Sequence, residues 1–153
     1  MMTTFIFVFY MATNIIPANV DHFKIEAQNP DDKADMIILD FNRDNTGRWK
    51  VVPRHKADDV MFFKFDEQAN LTIQDGLKGK EKTYPLLEKM SVEKNHRKWK
   101  KVTNVSFKTK EKTGLGSLVF NIKKSGKRQR TVQVDAEKSP QLGSLPAMII
   151  TWE

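Results

Sequence analysis

The chain has 153 residues, a net charge of +7 and no cysteine. Its length suits one domain around one core, and an aromatic content of 10% argues against disorder. Without cysteine there is no disulfide, thiolate metal site, iron–sulfur cluster or cysteine nucleophile. The charge is unevenly spread. Residues 78–138 hold 18 Lys and Arg against 6 Asp and Glu, net +12, and the remainder is net −5. Such a split describes a two-faced molecule that attracts polyanions on one side. The plainer reading is a lysine-rich surface that serves only solubility.

The chain opens on an apolar run, Phe5-Ile6-Phe7-Val8-Phe9-Tyr10-Met11-Ala12. It is too short for a bilayer, which takes about 20 apolar residues. Its Phe, Ile and Val content predicts a β-strand over 5–10, with 1–20 as an N-terminal strand or an arm added to a neighbour's sheet. A signal segment and an upstream extension before Met11 are the alternatives. No Lys or Arg precedes the run, and Ile16-Pro17-Ala18 is a poor cleavage site.

Pro17 then marks a connector. His22-Phe23-Lys24-Ile25-Glu26-Ala27 alternates polar and apolar residues as a strand does. Asn29-Pro30-Asp31-Asp32 turns the chain. A strand over 36–41 meets a hairpin partner over 48–52 across Asp44-Asn45-Thr46-Gly47, and Pro53 ends the pairing. Strands are also expected over 60–65 and 71–74, with a turn at Glu67-Gln68-Ala69-Asn70 between them. Pro85, with Leu86, Leu87 and Met90 on one face, predicts a short helix over 84–93.

A basic three-stranded meander follows over 94–135. Val105 and Phe107 point inward, with Ser106, Lys108 and Lys110 outward. After the turn at Thr113-Gly114-Leu115-Gly116, Leu118, Phe120 and Ile122 point inward, with Asn121 and Lys123 outward. Ser125-Gly126 makes a tight turn, and Val132 and Val134 point inward beside Arg130. A loop over 137–146 leads to a last strand over 147–152, apolar on both faces and therefore central. About nine or ten short strands parted by turns predict one all-β domain over 1–153, a β-sandwich, jelly roll or barrel.

Catalytic and metal motifs are weak. Asp40-x-Asn42-x-Asp44 opens like a calcium loop, but Asn45 and Val51 stand where that loop needs Gly and Glu. His22, His55 and His96 are too scattered for one metal. Asp31-Asp32 and Asp58-Asp59 read as turn residues, and Gly114-Leu115-Gly116-Ser117 lacks the lysine and helix of a phosphate loop. Asn70-Leu71-Thr72 and Asn104-Val105-Ser106 are formal glycosylation triplets, relevant only to a secreted chain.

The stretch His96-Arg97-Lys98-Trp99-Lys100-Lys101 carries the functional signal. Lys and Arg neutralise phosphates, and an aromatic between them stacks on an unpaired base. A Trp99 that only anchors the core is the structural alternative. The candidate polyanion-binding residues are Arg97, Lys98, Trp99, Lys100, Lys101, Lys108, Lys110, Lys123, Lys127, Arg128 and Arg130. The expected function is a non-enzymatic module that binds nucleic acid or another polyanion, without metal or cofactor. A structural subunit of a viral, phage or filamentous assembly, self-associating through its N-terminal segment, is the second reading. No transmembrane segment is expected. A cytoplasmic or virion-associated location follows from either reading, with secretion left open.

Overall fold

A computed structural model describes residues 2–28, 34–65, 70–85, 87–97, 100–109, 117–135, 137–139 and 147–153. One helix, α1 (Met2–Ile15), precedes eleven strands: β1 (His22–Gln28), β2 (Met36–Arg43), β3 (Trp49–Pro53), β4 (Met61–Phe65), β5 (Asn70–Asp75), β6 (Glu81–Pro85), β7 (Leu87–Arg97), β8 (Lys100–Thr109), β9 (Ser117–Gly126), β10 (Gln129–Val134) and β11 (Met148–Trp152). The chain is all-β apart from α1, as expected from its alternation. The turns expected at 29–32, 67–69 and 113–116, and the loop over 140–146, lie outside the described residues.

All strands belong to one sheet, in the order β6-β5-β4-β3-β2-β1-β11-β10-β9-β8-β7. Each neighbour is the next strand in sequence, except that β11 returns to pair with β1, as in Phe23 opposite Trp152. The apolar strand β11 is therefore central, as its composition predicts. Every pairing is antiparallel, so counting outward from β1 and β11 gives β6 and β7 the same direction. They stand at opposite ends of the order, yet only Leu86 separates them in sequence. Two Cα steps reach at most about 7.6 Å, whereas a flat sheet of this order would hold them about 48 Å apart. The sheet is therefore rolled, and residues 81–97 run along its seam, pairing with β5 and then with β8.

Two expectations fail here. The helix expected over 84–93 is strand: Leu71 opposes Tyr84, and Met90 and Val92 oppose Phe107 and Val105. Met90-Ser91-Val92-Glu93 alternates apolar and polar residues, and pairing with the long strand β8 outweighs the helical spacing of Leu86, Leu87 and Met90. The strand expected over 5–10 is helix, part of α1. A helix satisfies the backbone hydrogen bonds of that segment internally. It can thus be buried without a partner strand.

The core lies on the inner face of the sheet. Val8, Phe9, Met11 and Ala12 of α1 are buried against Phe23 and Ile25 of β1, Phe41 of β2 and Trp49 and Val51 of β3. The same cluster takes in Val105, Phe120, Val132 and Ile150 from the basic half of the sheet. Phe9 is the centre of the aromatic packing. Its ring centroid lies 5.0 Å from Phe41, 5.4 Å from Phe63, 5.3 Å from Phe65 and 6.0 Å, edge-on, from Trp49.

Candidate functional site

The basic surface follows from strand register. Val105 on β8 and Leu118, Phe120 and Ile122 on β9 are buried inward. Period-two alternation then places positions 104 and 106 of β8 on the outer face. Arg97 opposes Lys100, Lys89 opposes Lys108, and Lys123 opposes Val102. The outer positions of β8 and β9 thus include Asn104, Ser106, Asn121 and Lys123. Lys101 opposes His96 in the backbone register. Lys98, Trp99 and Lys110 lie outside the described residues.

The β9–β10 turn extends this face at one end. Lys123, Lys124, Lys127 and Arg128 are exposed there. A side chain at Gly126 would bring its Cβ to 3.1 Å from the Gln129 Cβ, so the tight return of the chain favours glycine. Arg130 is separate from the exposed group. It sits on the inner face, half-buried, with its guanidinium 4.9 Å from the Trp152 ring. Its Nη1 donates to the carbonyls of Gly126 and Gln129 at 3.0 and 2.8 Å.

Several charges elsewhere on the sheet are matched. Lys24 pairs with Glu26 at 2.8 Å, Arg43 with Asp21 at 2.7 Å, Arg48 with Asp44 at 3.3 Å and Arg54 with Asp40 at 2.8 Å. Exposed pairs of this kind add little stability, but they cancel the local field. Among the described residues, Lys123, Lys124, Lys127 and Arg128 have no such acid. Four exposed cations without an ion-pair partner therefore lie close together around the β9–β10 turn, whereas Lys50 and Lys64 stand singly on other strands.

Two of the three calcium-like residues, Asp40 and Asp44, are committed to protein partners. Asp40 accepts from Arg54, and Asp44 Oδ1 accepts from the Thr46 hydroxyl and the N–H groups of Thr46 and Arg48. These bonds, the Thr46 hydroxyl foremost, hold the Asp44 carboxyl at a pKa of about 2. His22 lies 3.7 Å from Asp40, and His55, Asp58 and Asp59 are exposed. No cluster of three or more His, Asp and Glu capable of holding a metal ion occurs among the described residues.

One further feature was not apparent from sequence. A hollow of about 380 Å³ opens on the outer face of β4–β6, lined by Arg48, Phe62, Lys64, Thr72, Gln74 and Glu81 among others. Phe62 alternates with the inward Phe63 and so faces outward, yet it is only 6% exposed. Arg48 covers it, with the guanidinium carbon 4.3 Å from the ring centroid. The adjacent aromatics Phe62-Phe63 were the available sequence signal, since a strand turns only one of two neighbours inward.

No family model, curated protein or solved structure matches the chain. Among the described residues, no helix is long and apolar enough to cross a membrane.

Proposed function

We propose that the chain is a non-enzymatic binding module whose outer β7–β9 face, with the β9–β10 turn, engages nucleic acid or another polyanion. The exposed Lys123, Lys124, Lys127 and Arg128 support this reading most directly: four cations without an ion-pair partner among the described residues fall within six positions, whereas Lys24, Arg43, Arg48 and Arg54 each have an acid. Ser and Asn between the basic positions suit the grip on phosphate or sulfate oxygens, since both donate hydrogen bonds. In this reading Trp99, between Lys98 and Lys100 in sequence, offers a stacking surface to an unpaired base.

The second reading, a subunit joined through an N-terminal β-arm, loses its arm. The segment is helical and packs into its own core.

Titration of labelled single-stranded DNA, single-stranded RNA and heparin at low salt tests the proposal. Binding that is lost on changing Lys123, Lys127 and Arg128 together to Glu supports it. Equal binding by the wild type and this variant removes the β9–β10 turn from the reading. For Trp99→Ala the expected loss is about 1–3 kcal/mol of single-strand affinity with stability preserved; a loss of stability instead would make Trp99 a core residue.

A further inference from the structure

We propose that the free edge of β7 is a self-association surface, at which two copies of the chain pair strand to strand, antiparallel, about a twofold axis through Ser91. The first ground is topology. β7 ends the sheet order and has one hydrogen-bonded neighbour, β8. Rolling the sheet does not cover its other edge. β5 lies beside residues 81–85 only, with its first residue, Asn70, opposite Pro85. Residues 87–97 run on past that point, and among the described residues no strand pairs with them on that side. From Lys89 to Arg97 the register with β8 is unbroken, an edge about 30 Å long at 3.4 Å per residue. The backbone N–H and C=O groups along such an edge are a template for another strand.

The second ground is what the edge lacks. Edges that stay single are short, or carry proline or a bulge. β6 fits that description, with five residues ending on Pro85. β7 has eleven residues and neither Pro nor Gly, and its register shift lies at one end, between Leu87 and Lys89. Charged residues also protect edges, but those of β7 have both signs and match when two copies meet.

That match is the third ground. In an antiparallel ladder the N–H and C=O of one residue point to one side, and those of the next residue to the other. Two identical edges therefore present the same alternate set of residues. Their bonds form only when the twofold axis passes through a residue rather than between two. Residues 88–94 read Glu-Lys-Met-Ser-Val-Glu-Lys. An axis at Ser91 sets Lys89 opposite Glu93 of the other copy, twice over, with Met90 opposite Val92 between them. The next pair outward, Glu88 with Lys94, falls at the register shift. An axis at Met90 or Val92 sets no lysine opposite a glutamate, and one at Glu93 sets Lys89 against Arg97. Opposite charges at opposed positions stabilise a strand pair and like charges destabilise it. One register is thereby selected. This edge shares no residue with the cations of the β9–β10 turn, so either surface can fail without the other.

Sedimentation equilibrium of the full chain, without nucleic acid, should show a monomer–dimer equilibrium. Lys89→Glu and Glu93→Lys should each weaken the dimer roughly tenfold or more, since each sets like charges opposite one another. Mixing these two variants, or combining both substitutions in one chain, should restore association, because opposite charges then face each other again. Ser91→Cys should form a disulfide-linked dimer on oxidation much faster than Lys94→Cys. The chain has no other cysteine, and only the axis position brings the two Cα atoms within about 4.5–5.5 Å. A wild type that stays monomeric up to about 1 mM overturns the proposal and leaves the edge to a strand of another protein. A dimer that ignores both charge reversals, or that mixing does not restore, overturns it as well. If a reversal variant loses its sheet spectrum, the cysteine variants decide: equal rates for Ser91→Cys and Lys94→Cys overturn the proposal, and a clear excess for Ser91→Cys supports it.

Discussion

Phe23 and Phe41 face each other across β1 and β2, their rings stacked at 4.6 Å and 6° from parallel. Phe9 lies over the same pair, 6.2 Å from Phe23 and 5.0 Å from Phe41. This contact joins the helix to the sheet. Phe41 is fully buried, so Phe41→Ala should lower stability by about 3–5 kcal/mol. Urea unfolding followed by tryptophan fluorescence measures it. A loss below about 1 kcal/mol would mean that the aromatic cluster is not the core.

Ser139 is the only polar residue among the described ones that is classed as buried. Its Oγ accepts the Val119 N–H at 2.7 Å, beside the Asp135 N–H bond to the Val119 carbonyl. The segment thus continues the pairing of β9 past the end of β10. Ser139→Ala would leave the Val119 N–H unsatisfied and should cost about 1–3 kcal/mol. The same urea experiment reads it, and hydrogen exchange at Val119 should accelerate.

Asp44 gives the β2–β3 turn a pH dependence. Its pKa is lowered from 3.8 to about 2, first by the Thr46 hydroxyl and then by the N–H groups of Arg48 and Thr46. A carboxylate depressed in the folded chain stabilises it above the unfolded value, and that contribution is lost as pH falls through the folded one. The stability gap between wild type and Asp44→Ala should therefore be constant above about pH 4 and shrink toward pH 2. A gap that does not change over this range would show that Asp44 acts only as a space-filling turn residue.

Arg48 shields Phe62 at the outer hollow. Arg48→Ala should cost about 0.5–2 kcal/mol through the lost cation–π contact. It should also raise binding of a hydrophobic dye, since the outward ring is uncovered. Unchanged stability and unchanged dye binding would contradict the shielding role.

Much of this architecture was legible in sequence, because alternation reports directly on which side of a sheet a residue faces. The inward Val105, Phe120, Ile122 and Val132, and the outward Lys123, were readable this way. Two segments were not. Residues 84–93 combine Pro85 with apolar residues at helical spacing, and only the distant partners Leu71 and Phe107 make them strand. The run over 5–10 has strand-like composition, but whether a sheet has a free edge is a global property that no local window contains. Sidedness of the basic face was partly readable: Lys123 is outward as expected, whereas Arg130 is half-buried on the inner face. The pairing of individual cations depends on contacts such as Arg54 with Asp40 and Arg43 with Asp21 that sequence does not show.

The central claim is that an outer basic face binds polyanions. The most direct measurement is the salt dependence of single-strand binding by wild type and by the variant carrying Lys123→Glu, Lys127→Glu and Arg128→Glu. Engagement of about 4 phosphates predicts a slope near −3 in a plot of log affinity against log salt for wild type. The variant should bind more weakly with a shallower slope and an unchanged sheet spectrum, because exposed charges contribute little to stability. No detectable low-salt binding by wild type to single-stranded DNA, RNA or heparin, or an identical slope in the two proteins, would contradict the account.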